Sequence, residues 1–283
     1  MIRIYWNGKI QNADKVKISP VNTGLLYGES LFESIPVYRG RAFGFKEHME
    51  RLEKGCDFLK WPMPPAIEFQ KGIQLFAEEA GEKKDFLIRF NLTQEIHEPS
   101  GPRDFFTHAP VLYATVRPLR HDPDDSALHF GKVGVSPWRA SSPQVFPNHF
   151  KAAVYMTTRV VFREHPEWDD VLRLNDQGFV VDGGASAPLW FDGQKIYASP
   201  LGLGGLASVT RNKVLHLARL GDIQVVEQNW KPQDAQNRGE IFLAGSGVGI
   251  LGISHVNGKK LKGRGEMAGL LWQVYRTEIL KLS

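Results

Sequence analysis

TGLLYGESLFESIPVYRGRAFGFKEHMERL, residues 23–52, contains the two periodicities on which the fold depends. Its middle part, residues 32–45, predicts two strands that turn back on each other at Arg39-Gly40. The chain continues as KEHMERLEKGCDFL, where apolar side chains recur at steps of three and four, as in an amphipathic helix. These side chains are Met49, Leu52, Cys56 and Leu59. Strands followed by such a helix predict a mixed α and β fold.

Similar patterns extend toward both ends of the chain. Asn7-Gly8 stands between IRIYW and KIQNA and suits the type I′ turn of a hairpin. Turn residues also separate strand-like runs at Gln177-Gly178 and Asp192-Gly193. Further helices are predicted at 67–80, 152–164, 210–221 and 266–280.

A polar stretch marks the predicted domain connection. Residues 97–123 are rich in Pro, His, Gly and Asp apart from the strand-like VLYATV, and RHDPDDS at 120–126 offers turn residues with little apolar surface. We therefore predict a smaller N-terminal α/β domain, residues 1–122, and a larger C-terminal domain, residues 123–283.

Composition excludes several classes of protein. Of the 283 residues, 42% are hydrophobic and 23% charged, and the net charge of +4 is spread along the chain beside acids. This balance argues against nucleic-acid binding. No apolar run is long enough for a transmembrane helix, and MIRIYWNGKI lacks the features of a signal peptide. The single cysteine, Cys56, fits a reducing cytoplasm, which we expect as the location.

Two common kinds of site are not supported. The nine histidines show no spacing typical of metal ligands, so we expect no metal site. GVGILG, residues 247–252, matches the dinucleotide pattern G-x-G-x-x-G. It leads into ISHVNGKKLKG, however, where Asn257-Gly258 predicts a hairpin and the dinucleotide fold requires a helix.

Two segments combine small residues with a hydroxyl group, ASVTRN and AGSGVG. Backbone N–H groups of such segments can approach an anion closely, and Thr210 or Ser246 can add a side-chain donor. Thr210 also lies at a predicted helix start, which favours a phosphate. The alternative is that Thr210 only caps its helix and the glycines only turn the chain.

Lys151 lies in QVFPNHFKAAVY, residues 144–155, among aromatic and small residues. Its stem could pack on the aromatic rings while the ammonium reaches water. Alternatively, Lys151 is a desolvated lysine that can form a Schiff base with an aldehyde.

The order of these segments resembles the class IV aminotransferases, the fold type IV pyridoxal-phosphate enzymes. This family includes branched-chain and D-amino-acid aminotransferases and 4-amino-4-deoxychorismate lyase. The resemblance spans nearly the whole chain. It is carried by LLYGESLFE followed by EHMERL, by the segment of Lys151, and by LNDQGFVVDGG, GLASVTRNKVLHLARLG and EIFLAGSGVGI. It implies a two-domain fold whose larger domain is a pseudo-barrel carrying the lysine and the phosphate cradle. The cofactor, pyridoxal 5′-phosphate, is expected between the domains.

The resemblance also implies roles for individual residues. Lys151 falls at the family's Schiff-base lysine, which serves as general base and acid. Arg51 matches the phosphate-binding arginine. The other cofactor-binding positions are Val209, Thr210, Ser246 and Gly247, with Asp182 facing the pyridine nitrogen.

Several positions depart from the family pattern. Asp182 stands where most members carry glutamate, and Pro188 stands in a run that often reads Ser-Asn before an aromatic residue. Tyr155 follows the lysine by four residues, whereas many members have a tyrosine five residues after it, where this chain has Met156. Pro36 stands where the branched-chain group often has arginine.

We therefore predict an enzyme that moves an amino group between an amino acid, branched-chain-like or D, and a 2-oxo acid. Arg89 is the candidate for the substrate carboxylate, since a guanidinium binds carboxylate bidentately, and Tyr155 is a second substrate-binding candidate. One alternative is 4-amino-4-deoxychorismate lyase, which releases pyruvate and p-aminobenzoate. The other is a family member that binds the cofactor without catalysis. The resemblance also implies a homodimer.

Overall fold

The computed structural model describes residues 2–81, 84–95 and 110–282. Of the polar stretch 97–123, residues 97–109 lie outside this description. The chain forms two compact units. The first contains Met1–Leu119, His149–Val154 and Leu282–Ser283, and the second contains Arg120–Asn148 and Tyr155–Lys281. The segment of Lys151 thus belongs to the first unit, although the predicted boundary placed it in the C-terminal domain. That boundary stays a prediction.

The first unit is built on a six-stranded sheet with the order β2-β1-β6-β5-β3-β4. All neighbouring strands in it are antiparallel. Its strands are β1 (Arg3–Trp6), β2 (Lys9–Asn12), β3 (Leu31–Tyr38), β4 (Arg41–Ala42), β5 (Phe86–Thr93) and β6 (Val111–Arg117). Its helices are α1 (Thr23–Tyr27), α2 (Phe45–Leu59) and α3 (Ala66–Ala80).

One face of this sheet forms the core with α2 and α3. Ile35 of β3 and Ile88 of β5 are fully buried against Leu52 of α2 and Phe69 of α3. Side chains alternate between the faces of a strand, so the neighbours of Ile35 and Ile88 point to the other face. The face that packs on α2 and α3 is therefore mainly apolar, with Glu33 as a buried exception, and the other face carries Arg89 and Asn91.

The second unit is built on a nine-stranded mixed sheet, ordered β12-β11-β10-β13-β14-β7-β8-β9 with β15 paired to β14. Its strands are β7 (Phe130–Val135), β8 (Asp170–Leu174), β9 (Val180–Gly183), β10 (Ala187–Phe191), β11 (Lys195–Ala198), β12 (Gln224–Glu227), β13 (Glu240–Gly245), β14 (Gly249–Val256) and β15 (Lys259–Lys260). Its helices are α4 (Met156–Glu164), α5 (Val209–Leu220), α6 (Pro232–Asn237) and α7 (Glu266–Leu280).

The turns agree with the glycine signals in the sequence. Asn7 and Gly8 both have positive φ, of 48° and 77°, as the type I′ turn between β1 and β2 requires. The segment after Gly247 forms β14, which pairs antiparallel with β13, so the G-x-G-x-x-G match does not precede a helix. The hairpin predicted at Asn257-Gly258 is confirmed, because β14 pairs antiparallel with β15 on either side of these two residues.

One predicted helix start is wrong, and a second is displaced by one residue. The helix predicted from Ala152 begins only at Met156, because Ala152 instead forms a β-bridge with Leu31. The helix predicted to start at Thr210 is capped by Ser208, whose Oγ accepts the N–H of Arg211 at 3.2 Å. Thr210 therefore lies inside the first turn and is not the cap.

Within the described part of the chain, no helix is both long enough and apolar enough to cross a membrane.

Candidate active site

Backbone hydrogen bonds join the segment of Lys151 to the start of β3. Its C=O accepts the N–H of Phe32 at 2.9 Å, and the C=O of Ser30 accepts the N–H of Ala153 at 3.1 Å. Lys151 Nζ lies 5.0 Å from the ring centroid of Phe32. Among the residues that the structure describes, no carboxylate forms an ion pair with this ammonium. The amine is thus held over an aromatic ring instead of being neutralised by an acid.

Arg89 lies on the same face of the sheet. Its guanidinium carbon is 3.7 Å from the centroid of the Phe32 ring, and its Nε donates to Asn91 Oδ1 at 2.8 Å. Tyr113 of β6 lies opposite Asn91 in the sheet. Burial raises the pKa of Tyr113, and the positive charge of the nearby Arg89 opposes this rise. One ring, Phe32, therefore carries two cationic side chains, and a carboxylate there would meet a guanidinium held by Asn91.

Arg51 belongs to a buried charge cluster with Glu33 and His48. The Glu33 carboxylate accepts Arg51 Nε and Nη2, each at 2.7 Å, and lies 2.7 Å from His48 Nδ1. The exposed fractions are 0% for Glu33, 1% for His48 and 7% for Arg51. A bidentate carboxylate fixes the plane of a guanidinium, so Arg51 is held in one orientation.

The charges in this cluster set its protonation. Burial alone would raise the pKa of Glu33, but Arg51 and His48 outweigh it and hold the pKa at about 2. Burial lowers the pKa of His48, and the positive charges of Arg51 and Lys151 add to this effect against Glu33. At neutral pH the cluster therefore contains an ionised Glu33, a cationic Arg51 and a neutral His48.

In the second unit, the predicted phosphate-binding residues lie at two neighbouring chain turns. Thr210 Oγ1 is 3.4 Å from Ser246 Oγ. Val209 and Thr210 are the first residues of α5, where backbone N–H groups have no partner within the helix. Ser246 and Gly247 form the turn between β13 and β14. The structure thus brings two hydroxyl groups, a helix start and a small-residue turn together.

Further hydrogen bonds hold the start of α5 and the turn between β13 and β14 in place. The Thr210 hydroxyl is hydrogen-bonded to Tyr275, a fully buried tyrosine whose pKa burial raises. The C=O of Gly247 accepts the N–H of Arg120 at 3.0 Å and a hydrogen bond from the His121 ring. Burial lowers the pKa of His121 to about 4, so its ring is neutral at neutral pH.

Asp182 lies in β9 and accepts two backbone N–H groups. Its Oδ1 accepts from Gly183 and its Oδ2 from Leu206, both at 2.9 Å. The positive charge of Arg211 also interacts with this carboxylate.

Tyr155 is the residue before α4, and its C=O accepts the N–H of Arg159 at 2.9 Å. It belongs to the second unit and Arg89 to the first. The assignment of Tyr155 to the substrate stays a prediction. As for metals, no group of three or more His, Cys, Asp or Glu suited to an ion occurs in residues 2–81, 84–95 and 110–282.

The sequence reasoning missed the residues that orient the predicted ones. Glu33 holds Arg51, and Phe32 carries both Lys151 and Arg89. His48, the third member of the Arg51 cluster, was also missed, although a signal for it was present. It precedes Arg51 by three residues, which places both side chains on one helix face. Nothing in the sequence pattern connects Glu33 with that face.

Comparison with solved structures identifies the fold. The branched-chain aminotransferase of Thermoproteus uzoniensis with norvaline superposes with a TM-score of 0.85 at 22% identity, covering 99% of this chain and 95% of that one. The branched-chain amino acid aminotransferase of Thermobaculum terrenum in its PLP holo form superposes with a TM-score of 0.84 at 21% identity, covering 99% and 94%. The predicted mixed α/β architecture is confirmed.

Sequence comparison identifies the family. The family model described as Amino-transferase class IV matches residues 30–256. The branched-chain-amino-acid aminotransferase of Escherichia coli K12 is 23% identical over 271 residues, which cover 90% of this chain and 85% of that protein. The chain belongs to the class IV aminotransferase family, and the predictions of family and enzyme class are confirmed.

Proposed function

We propose that this aminotransferase uses pyridoxal 5′-phosphate and moves an amino group between an amino acid with a branched-chain-like side chain and a 2-oxo acid. The observation that carries the proposal is Lys151, whose amine is held over Phe32 beside Arg89. A relative whose solved structure contains PLP shares the fold. The relative from Escherichia coli acts on branched-chain amino acids.

The residues present fit the chemistry of the cofactor. The aldehyde group of pyridoxal phosphate forms a Schiff base with a primary amine, and Lys151 provides such an amine. The phosphate would be bound by Arg51, by the hydroxyl groups of Thr210 and Ser246, and by N–H groups at the start of α5 and at Gly247, a donor set suited to an anion. Asp182 would face the pyridine nitrogen.

When bound, the cofactor supplies an electron sink for the carbanion of the substrate. Lys151 Nζ would act as the general base toward the proton on the substrate α-carbon and then as the general acid that returns it. Asp182 would place a negative charge at the pyridine nitrogen and so favour its protonated form. Glu33 fixes the guanidinium of Arg51, so a bound phosphate would meet a donor that is itself held in place.

The substrate proposal rests on the polar face of the first sheet. Arg89 would bind a substrate carboxylate, with its guanidinium braced by Asn91 and the ring of Phe32. The rings of Trp6 and Tyr113, with centroids 5.8 Å apart, add apolar surface to this face. Such a surface suits an apolar side chain next to a carboxylate.

The proposal includes a homodimer in the cytoplasm. Helix α1 exposes three apolar side chains, Leu25, Leu26 and Tyr27, with exposed fractions of 67%, 47% and 47%. Apolar groups concentrated in this way are typical of protein interfaces. The lone cysteine, Cys56, is buried and reduced, as suits the cytoplasm. Light scattering on the purified chain tests the dimer, and a monomer at micromolar concentration would contradict it.

The first experiment tests the cofactor. We expect wild-type protein with added pyridoxal phosphate to show a visible absorption band that borohydride bleaches, leaving the cofactor covalently attached to the peptide of Lys151. Lys151→Ala should bind the cofactor without covalent trapping. If borohydride labels another lysine, or none, the assignment of Lys151 is wrong.

The second experiment tests the substrate. L- and D-amino acids are incubated with the loaded enzyme and 2-oxoglutarate, and aminodeoxychorismate is included as a separate reaction. Turnover of valine, leucine or isoleucine supports the proposal, whereas p-aminobenzoate without amino-group transfer would favour the lyase. Arg89→Gln should raise the KM for the amino acid at least about tenfold, the loss of one charged hydrogen-bonded contact.

A further inference from the structure

The Gly205–Leu206 peptide group connects Asn148 to Asp182. Asn148 Nδ2 donates to the C=O of Gly205 at 2.6 Å, and the N–H of Leu206 donates to Asp182 Oδ2 at 2.9 Å. These two backbone groups belong to one planar peptide. An orientation imposed on its carbonyl therefore fixes the direction in which its N–H points.

Asn148 is suited to hold this peptide because it uses both hydrogens of its amide. The second hydrogen is donated to the C=O of Leu201 at 3.1 Å. The two carbonyls lie at the two ends of the loop 201–205, so one side chain closes that loop. A primary amide provides two N–H donors from one nitrogen, which a hydroxyl group cannot.

The backbone around this peptide leaves little freedom. A Cβ on Gly205 would lie 2.6 Å from the C=O of Val181, the residue before Asp182. Gly204 has a φ of 107°, and a Cβ there would lie 2.9 Å from the C=O of Ser141. The loop therefore packs directly on the backbone that carries Asp182, and glycine is required for that approach.

We propose that Asn148 is a positioning residue that orients the Asp182 carboxylate through the Gly205–Leu206 peptide. The role of Asp182 itself rests on the proposed function. Aspartate carries its carboxylate on a single methylene group, so the reach of that carboxylate is short. A carboxylate with less reach depends more on being held at one angle, and the hydrogen bonds from Gly183 and Leu206 hold it at both oxygens.

The link is tested without cofactor, by amide hydrogen exchange in full-length apoprotein labelled with 15N-leucine. In Asn148→Leu and in Asn148→Asp, neither of which can donate to Gly205, we expect exchange at Leu206 to accelerate about tenfold or more. The buried Leu243 of β13 is the internal reference for global unfolding. The matched control is Gln144→Leu, which removes an amide from an exposed position of the same segment. Exchange at Leu206 that stays at the Gln144→Leu rate overturns the proposal.

The consequence for the cofactor is read from the ring nitrogen in enzyme loaded with 15N-labelled pyridoxal phosphate. Asn148→Leu should shift its NMR signal toward that of the unprotonated ring, in the direction produced by Asp182→Asn. An unchanged signal in Asn148→Leu, with a clear change in Asp182→Asn, overturns the positioning role. If Asp182→Asn itself changes nothing, the role proposed for Asp182 fails, and exchange at Leu206 still decides the link to Asn148.

Discussion

Glu33 is the residue that allows Arg51 to be buried. A guanidinium taken out of water costs several kcal/mol unless it is paired and hydrogen-bonded, and here both Glu33 oxygens accept from it at 2.7 Å. The same carboxylate also binds His48. Arg51, the proposed phosphate-binding arginine, therefore depends on Glu33, which is not itself proposed to contact the cofactor.

Glu33→Gln should be strongly destabilising because it leaves the Arg51 charge buried and unpaired. Breaking such a buried pair costs about 3–5 kcal/mol, and we expect a loss of that size in urea unfolding of the apoprotein. The exposed pair of Arg3 and Glu79, 2.6 Å apart, gives the matched control. Glu79→Gln should cost less than about 1 kcal/mol. Equal losses from the two variants would contradict this account of Glu33.

The sequence supports proposals for residues whose own chemistry is recognisable, and it does not reveal the residues that hold them in place. Lys151 and Arg51 stand in recognisable segments, whereas Glu33 and Asn148 act through partners far along the chain. Asn148 contacts the loop 201–205, more than fifty residues away. Such pairings depend on the arrangement of the strands, which no local pattern contains.

At the level of elements, α2 is positioned by a glycine. A Cβ on Gly55 would lie 2.9 Å from Leu31 Cδ1 and 3.1 Å from Phe150 Cβ. Leu31 begins β3, and Phe150 precedes Lys151. The absence of a side chain at Gly55 thus lets the helix approach both the strand and the lysine segment.

Gly55→Ala should destabilise the protein although alanine favours a helix. The gain in helix propensity is about 1 kcal/mol, and overpacking costs about 1–3 kcal/mol, since the Phe150 Cβ next to the backbone has little room to move. The control is Gly269→Ala in α7, where a Cβ meets nothing within 4 Å and only the gain should remain. Thermal unfolding measures both, and stabilisation by Gly55→Ala would show that the packing yields.

The structure excludes Thr210 as the cap of α5, and the proposed phosphate-binding role of its hydroxyl can be tested separately from the cap. Ser208 caps α5, so Ser208→Ala should lower the free energy of unfolding by about 1 kcal/mol. Thr210→Val keeps the size of the side chain and removes its hydroxyl, so its main effect should be weaker binding of pyridoxal phosphate. Fluorescence titration of the cofactor measures this binding. If Thr210→Val binds as wild type does, its hydroxyl serves Tyr275 and Ser246 only.

Long periodic elements were predicted well and element ends less well. The helices at 67–80 and 266–280 agree with α3 and α7 to within one residue, since their apolar faces extend over several turns. The helix predicted from Ala152 failed because tertiary pairing with Leu31 replaces local preference. The order of the strands was not predictable, since β14 pairs with β7 across more than a hundred residues.

For the whole molecule, two buried histidines should determine how stability depends on pH. Burial lowers the pKa of His48 in the first unit and of His121 in the second, the latter to about 4. Below about pH 6.5 the unfolded chain binds protons at both positions, whereas the folded chain does not. Their contribution is therefore complete above pH 6.5 and is lost as the pH falls toward the folded values.

We expect the contribution of the two histidines to the free energy of unfolding to fall from pH 7 to pH 4.5, by at most about 1.4 kcal/mol per pH unit for each. The measurement is urea unfolding of wild type, His48→Asn and His121→Asn over this range. The slope of the free energy of unfolding against pH reports the number of protons taken up on unfolding. Each replacement should reduce that number by at most one. The difference from wild type cancels the buried acids Asp170 and Glu240, whose raised pKa values act with the opposite sign. Glu33, with a pKa of about 2, adds its own loss only below about pH 4.5. His216→Asn, at an exposed position of α5, is the control for replacing a histidine by asparagine. A slope that neither buried variant reduces would show that both rings take up protons in the folded chain.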